Sequence, residues 1–98
     1  MIITLSPLAS NKTNLISING DVITIDGTDF DLSSIVEGAQ VKAEYPAVGI
    51  IKREGGKLHV TLRYHYESKL ALPDQPYSDE KYIIDIVEGD IPCPIVWR

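Results

Sequence analysis

Apolar and polar positions alternate with a period of two along most of this chain, and glycine, proline and aspartate cut the alternation into short runs. That is the pattern of β-strands, whose successive side chains point to opposite faces of a sheet. Ile2-Ile-Thr-Leu5 reads as a first strand, stopped by Ser6-Pro7, and Ala9 to Thr13 as a polar loop. Asn19-Gly20 then lies between two apolar runs, a pairing that suits the positive φ angles of a type I′ hairpin turn. A two-residue loop there sets Ile18 opposite Asp21 and Ile16 opposite Ile23. Ile16, Ile18, Ile23 and Ile25 share one face; Leu15, Ser17, Val22 and Thr24 share the other. Asp26-Gly27 repeats the device and sets Thr28 opposite Ile25 and Phe30 opposite Ile23. Phe30 and Leu32 thereby join the isoleucine face, and Asp29 and Asp31 the opposite one. Two independent turns give one apolar face across three strands.

Ser33 to Glu37 predicts one short helical turn, capped by Ser33 or Ser34 and ended at Gly38. Ala47 to Tyr66 predicts a second hairpin on Gly55-Gly56, with Glu54 facing Lys57 and Ile51 facing Val60. Ile51, Leu58, Val60, Leu62, Tyr64 and Tyr66 fall on one face of it. Lys52, Glu54, His59, Thr61, Arg63 and His65 fall on the other, so this hairpin has one dry side and one wet side. Ser68 to Glu80, with Pro73 and Pro76, reads as a loop. Lys81 to Val87 reads as a strand ended by Glu88-Gly-Asp90. The tail from Ile91 to Arg98 carries Pro92 and Pro94 and at best pairs along an edge. Six or seven short strands with almost no helix predict one all-β domain over residues 1–98. The expected form is a small antiparallel β-sandwich or partly open barrel, the two apolar faces packed together.

Composition narrows the field. At 98 residues and 10.8 kDa the chain has room for one core. A hydrophobic fraction of 44% and a charged fraction of 23% exclude a disordered or collagenous chain. The net charge of −5 argues against a phosphate-backbone partner, which needs clustered Lys and Arg. The single cysteine, Cys93, excludes an intramolecular disulfide and a cysteine-rich zinc site. No apolar run approaches the ~18–20 residues of a membrane helix, and Met1 to Pro7 lacks the basic and apolar regions of a signal peptide. A non-secreted chain with no membrane partner is the expectation, and the sequon Asn11-Lys-Thr13 is then a chance match in a loop.

Candidate chemistry is sparse. His59 and His65 stand on one strand face but about 20 Å apart at the ~3.3 Å rise of a strand, too far to share a metal. With Lys52 and Arg63 they form a candidate polar docking face for an acidic partner, against the plainer reading of a solvated sheet face. Asp21, Asp26, Asp29 and Asp31 cluster in sequence but lack the spacing of a calcium loop; turn chemistry and edge protection account for them. Cys93 has no histidine close by in sequence, Gly55-Gly56 precedes no helix that would make a phosphate cradle, and no carboxylate pair stands out. An enzyme reading therefore rests on no feature, and no cofactor is implied. Tyr77, Tyr82, Ile95, Val96 and Trp97 form a candidate apolar interface, since aromatic side chains concentrate at interface cores. Equally, the tail folds back and closes the open end of the sandwich.

Several segments in order carry a resemblance: Met1-Ile-Ile-Thr-Leu-Ser-Pro7; Gly20-Asp-Val-Ile-Thr-Ile25 with Gly27 and Phe30-Asp31; Glu37-Gly-Ala39; Gly56-Lys-Leu-His-Val-Thr-Leu62; and Ile84-Asp-Ile-Val-Glu-Gly-Asp-Ile-Pro92. Together they resemble a family of small bacteriophage and prophage proteins encoded among tail and tail-fibre genes. The resemblance covers most of the chain, departs in the Tyr64–Tyr82 region and the Ile95–Arg98 ending, and brings no catalytic residues. It implies a tail-module protein, a minor structural subunit or assembly accessory, acting through protein–protein contacts with other tail proteins or with itself. Such a protein resides in the bacterial host cytoplasm during assembly, or in the virion. The alternative is a small binding module for a host protein or a ligand.

Overall fold

The computed structural model describes residues 1–44, 47–75 and 82–97. Its strands are β1 (Ile2–Ser10), β2 (Ile16–Asn19), β3 (Val22–Ile25), β4 (Thr28–Asp31), β5 (Gln40–Lys42), β6 (Ala47–Glu54), β7 (Lys57–Glu67), β8 (Ile83–Asp85) and β9 (Glu88–Asp90), with one 3-10 turn at Ser68–Leu70. They form two sheets, a five-stranded one in the order β5-β6-β7-β1-β8 and a four-stranded one in the order β4-β3-β2-β9. The fold is the expected all-β sandwich. The inner faces meet in one core that includes Ile3, Leu5, Ile16, Ile18, Ile23, Leu58, Val60, Leu62 and Tyr64.

The meander β2-β3-β4 owes its shape to its turns. Ile25 pairs with Thr28 and Ile23 with Phe30, as read from Asp26-Gly27. Asp26 and Gly27 both take positive φ, +50° and +84°. The first turn slips by one residue from the expected place: Asn19 pairs with Val22 and Ile18 with Ile23, leaving Gly20 and Asp21 as the loop. Gly20 lies at φ +61° and Asp21 does not take a positive φ, the arrangement of a type II′ loop. The slip sets the isoleucines directly opposite each other. It moves the pairing by two positions in all, so every side chain keeps its predicted face.

Four expectations are corrected. β1 does not stop at Ser6-Pro7 but runs to Ser10, in parallel with β7 from Ile2↔His59 to Ser10↔Glu67. The larger sheet is therefore mixed rather than purely antiparallel. Proline is tolerated in β1 because, among the described residues, β8 pairs with Ile2 to Thr4 and no strand meets that edge of β1 at Pro7. Residues 33–38 form turns rather than a helical turn: the Asp31 carboxylate accepts the Ser33 N–H (2.9 Å) and the Leu32 carbonyl accepts the Ile35 N–H (3.1 Å). Glu88-Gly-Asp90 is not merely a stop signal. It is β9 and pairs antiparallel with β2.

The β6–β7 hairpin has Glu54↔Lys57 as expected and keeps register as far as Lys52↔His59, but the register then shifts between Val48 and Lys52, so the expected pairing of Ile51 with Val60 is not made. Gly49, at φ +74°, sits in that bulge, and Ile50 beside it is swung outward and exposed. Past the bulge Ala47 meets Leu62 and Val48 meets Thr61. The predicted dry face is buried from Ile51 through Leu58, Val60, Leu62 and Tyr64, with Tyr66 half-buried.

Candidate functional site: a groove beside the C-terminal tail

After β9 the chain runs across the end of the sandwich. The Ile91 N–H donates to the Ile16 carbonyl (2.8 Å), and the Leu72 N–H to the Val96 carbonyl (3.0 Å). Gln75 clips the tail from the side: its Nε2 donates to the carbonyls of Val96 (2.9 Å) and Leu72 (2.8 Å), and its Oε1 accepts the Val96 N–H (2.8 Å). Trp97 adds an antiparallel bridge to Ala71. Ile91 and Ile95 are buried by this course. The tail thus closes one end of the core.

Between this tail, the 13–15 loop and the outer part of the β2–β3 hairpin lies an open groove of about 510 Å³. Leu15 and Trp97, both exposed, line it with Ile16, Ser17, Tyr64 and Cys93. Cys93 is exposed and lines the groove together with the buried Tyr64. Burial pushes the Tyr64 hydroxyl well above the usual phenol range, and the Cys93 thiol adds to that shift. Burial likewise raises Tyr82, aided by Tyr66 and Cys93. Of the two, Tyr64 lines the groove and forms part of its floor.

The loop that forms the rim is held by Asp26. Its Oδ1 accepts the Leu15 N–H (2.9 Å), its Oδ2 accepts Asn14 Nδ2 (2.7 Å), and Lys12 Nζ stands 3.8 Å away. The Leu15 amide, then Asn14 and Lys12, hold this carboxylate below the usual range. Asn14 in turn clasps β7: its N–H donates to the His65 carbonyl (2.9 Å), and its Oδ1 accepts the His65 N–H (2.8 Å).

The candidate interface residues separate. Tyr82, 1% exposed, and Ile95 are core residues, which corrects their reading as a contact surface: the same apolar character that suggested docking seals the sandwich instead. Val96 is half-buried, Trp97 remains exposed on the groove, and Tyr77 lies outside the described residues.

The polar face does assemble on the outer side of the larger sheet. Lys52 and His59 are direct cross-strand partners, and Arg63 and His65 follow along β7. Its charge is already balanced in part. Lys52 pairs with Glu54 (2.9 Å) and Lys57 with Asp85, and Arg63 donates to the Ser6 hydroxyl (3.0 Å). Both carboxyls are held below their usual range, Glu54 by the Lys52 hydrogen bond and Asp85 by that of Lys57.

The four aspartates of the meander disperse: Asp21 to Arg53, Asp26 to Leu15 and Asn14, Asp29 to the Thr24 hydroxyl, Asp31 to the Ser33 amide. Among the described residues no three of His, Cys, Asp and Glu come together as a metal site.

Reading by strand faces missed Arg53. It sits on the inner side of β6, one position off the wet face, with its guanidinium largely buried. Nε donates to the Ile35 carbonyl (2.5 Å) and an Nη to Asp21 Oδ2 (3.0 Å). This ties the larger sheet to the first turn of the smaller one. The signal was available: a cation at the Ile51 parity of a hairpin must find a carboxylate or carbonyl inside. The chain matches no protein-family model, and no curated protein or solved structure shows significant similarity to it.

Proposed function

We propose that this protein is a bacteriophage or prophage tail-module protein that works by protein–protein contact, without catalysis. The observation that carries the reading is the exposed apolar pair Leu15 and Trp97 on the groove beside the anchored tail. A contact surface needs a large apolar or aromatic anchor in a shaped recess on a rigid frame. Here the recess has a tyrosine floor, a strand-backed wall and a rim fixed by Asp26 and Asn14. The order of segments that resembles small tail-region phage proteins supplies the biological setting, with other tail proteins as partners.

The test is co-sedimentation. The full chain, epitope-tagged at the N-terminus, is expressed in a phage-producing bacterium, and tails are separated on a gradient. The tagged chain is expected to travel with tails or tail intermediates. Trp97→Ala is expected to weaken that association by ~30-fold or more, the effect of losing one interface anchor of about 2 kcal/mol. A chain that stays at the top of the gradient in every fraction of the infection overturns the reading.

A further inference from the structure

We propose that copies of this chain join head to tail through the two edges of the five-stranded sheet, β8 of one copy adding to β5 of the next. Among the described residues these two strands end the sheet, each paired on one side alone. The hydrogen bonds fix which backbone groups face outward. Just after β8 the Ile86 N–H donates to the Met1 carbonyl (2.9 Å) and the Met1 amine returns a bond to the Ile86 carbonyl (2.8 Å). In an antiparallel ladder alternate residues point alternate ways, so Ile84 and Ile86 serve β1, and Ile83 and Asp85 present their amides and carbonyls to the bare side. At the two ends of β5 the Ala43 N–H bonds the Gly49 carbonyl (2.8 Å) and the Ala39 carbonyl accepts the Arg53 N–H (3.3 Å). Ala39, Val41 and Ala43 therefore serve β6, and Gln40 and Lys42 face outward.

The two edges match in direction, side-chain face and charge. β5 runs parallel to β1 and β8 runs antiparallel to it, so a copy placed in the same orientation meets its neighbour in an antiparallel pair. With Ile84 opposite Val41, Asp85 pairs with Gln40 and Ile83 with Lys42, all four through outward-facing backbone groups. Their side chains then lie on the outer face of a continuous sheet. Ile84 already packs on the core, and Val41, 40% exposed in the single chain, would be covered by it. Among the described residues of these two strands, the one charge in β5 is Lys42 and the one charge in β8 is Asp85. Their diagonal placement is within reach of a lysine. Lys57 takes Oδ2 of Asp85, which leaves Oδ1 for the neighbour. The smaller sheet offers no such match, since β4 (Thr-Asp-Phe-Asp) and β9 (Glu-Gly-Asp) are both acidic and repel each other. An interface between two different patches of one chain is heterologous. It builds a ring where the rotation closes and a filament where it does not.

Light scattering coupled to size exclusion, over a range of concentrations, tests this with Lys42→Pro and Asp85→Pro. Each removes an outward amide and spares the inward ladder; circular dichroism checks that both variants fold. The wild-type chain is expected above monomer mass, and each variant alone at monomer mass. Their equimolar mixture is expected to give a species of two chains and nothing larger, because one good β8 edge and one good β5 edge remain. Lys42→Glu leaves the backbone intact and is expected to lower the wild-type mass in the same direction. A wild-type monomer at every concentration overturns the proposal, as do folded variants that keep the wild-type mass, or a mixture that grows beyond two chains. A monomer would leave the tail-contact reading standing. Failure to travel with tails would leave this one standing.

Discussion

Asp26 is the one described residue other than glycine at positive φ, and its side chain explains why it is tolerated there. An L-residue in the left-handed region costs about 1–2 kcal/mol, and the bonds from Leu15 and Asn14 offset that cost. Because the carboxylate is held below its usual range, its contribution is present above the unfolded value near pH 4. It is lost as the pH falls through the lower folded value. Asp26→Asn should therefore flatten the acid limb of a stability-against-pH curve measured by urea unfolding, with the difference from wild type shrinking below about pH 4. An unchanged acid limb would show that the carboxylate is not the group responsible. Arg53 acts at the same scale. Removing its guanidinium strands the Ile35 carbonyl and frees Asp21 to solvent, so Arg53→Met should cost about 1–3 kcal/mol in the same assay.

Among the elements, those written in local turn chemistry were legible. Asp26-Gly27 placed a hairpin in the right register, Gly55-Gly56 did so as far as Lys52, where the bulge shifts the pairing, and the alternation from Leu58 to Tyr64 named the buried face. Elements defined by distant partners were not. Pro7 reads as a stop, and only the parallel partner β7 reveals why β1 continues. Gln40-Val-Lys42 and Glu88-Gly-Asp90 have no strand signature of their own; β6 and β2 recruit them. The candidate site was half legible. Trp97 was singled out, whereas Leu15, Tyr64 and Cys93 join it only because the tail crosses the sandwich end. The Gln75 clip belongs here too. Gln75→Ala should leave the core intact and raise amide hydrogen exchange at Val96 and Leu72 selectively. Uniform acceleration across both sheets would mean that the tail is part of the global fold instead. In β6, the bulge glycine at φ +74° has open space where a Cβ would go. Gly49→Ala should thus cost only the backbone term, about 1–2 kcal/mol, with no added clash, as read from its urea midpoint.

For the molecule as a whole, the order of assembly follows from sequence separation. The β2-β3-β4 meander closes through two-residue turns, whereas β1 meets β7 across a separation such as the 57 residues between Ser6 and Arg63. Closing so long a loop costs entropy before any contact rewards it, so folding should fall in the millisecond-to-second range of non-local β topologies. The same argument orders the transition state. Ile23 sits in the local meander and Ile3, fully buried, sits in β1 of the non-local pairing with β7. Each Ile→Val change should cost about 0.5–1.5 kcal/mol at equilibrium, and a cost above ~0.6 kcal/mol suffices for a reliable kinetic ratio. Ile23→Val should express its cost mainly as slower folding, because the meander forms early. Ile3→Val should express its cost mainly as faster unfolding, because the parallel pairing forms after the barrier. Stopped-flow chevrons of the two variants decide the matter. Slower folding in Ile3→Val with unchanged unfolding would place the β1–β7 pairing in the nucleus, and the fold would then begin from its longest-range contact.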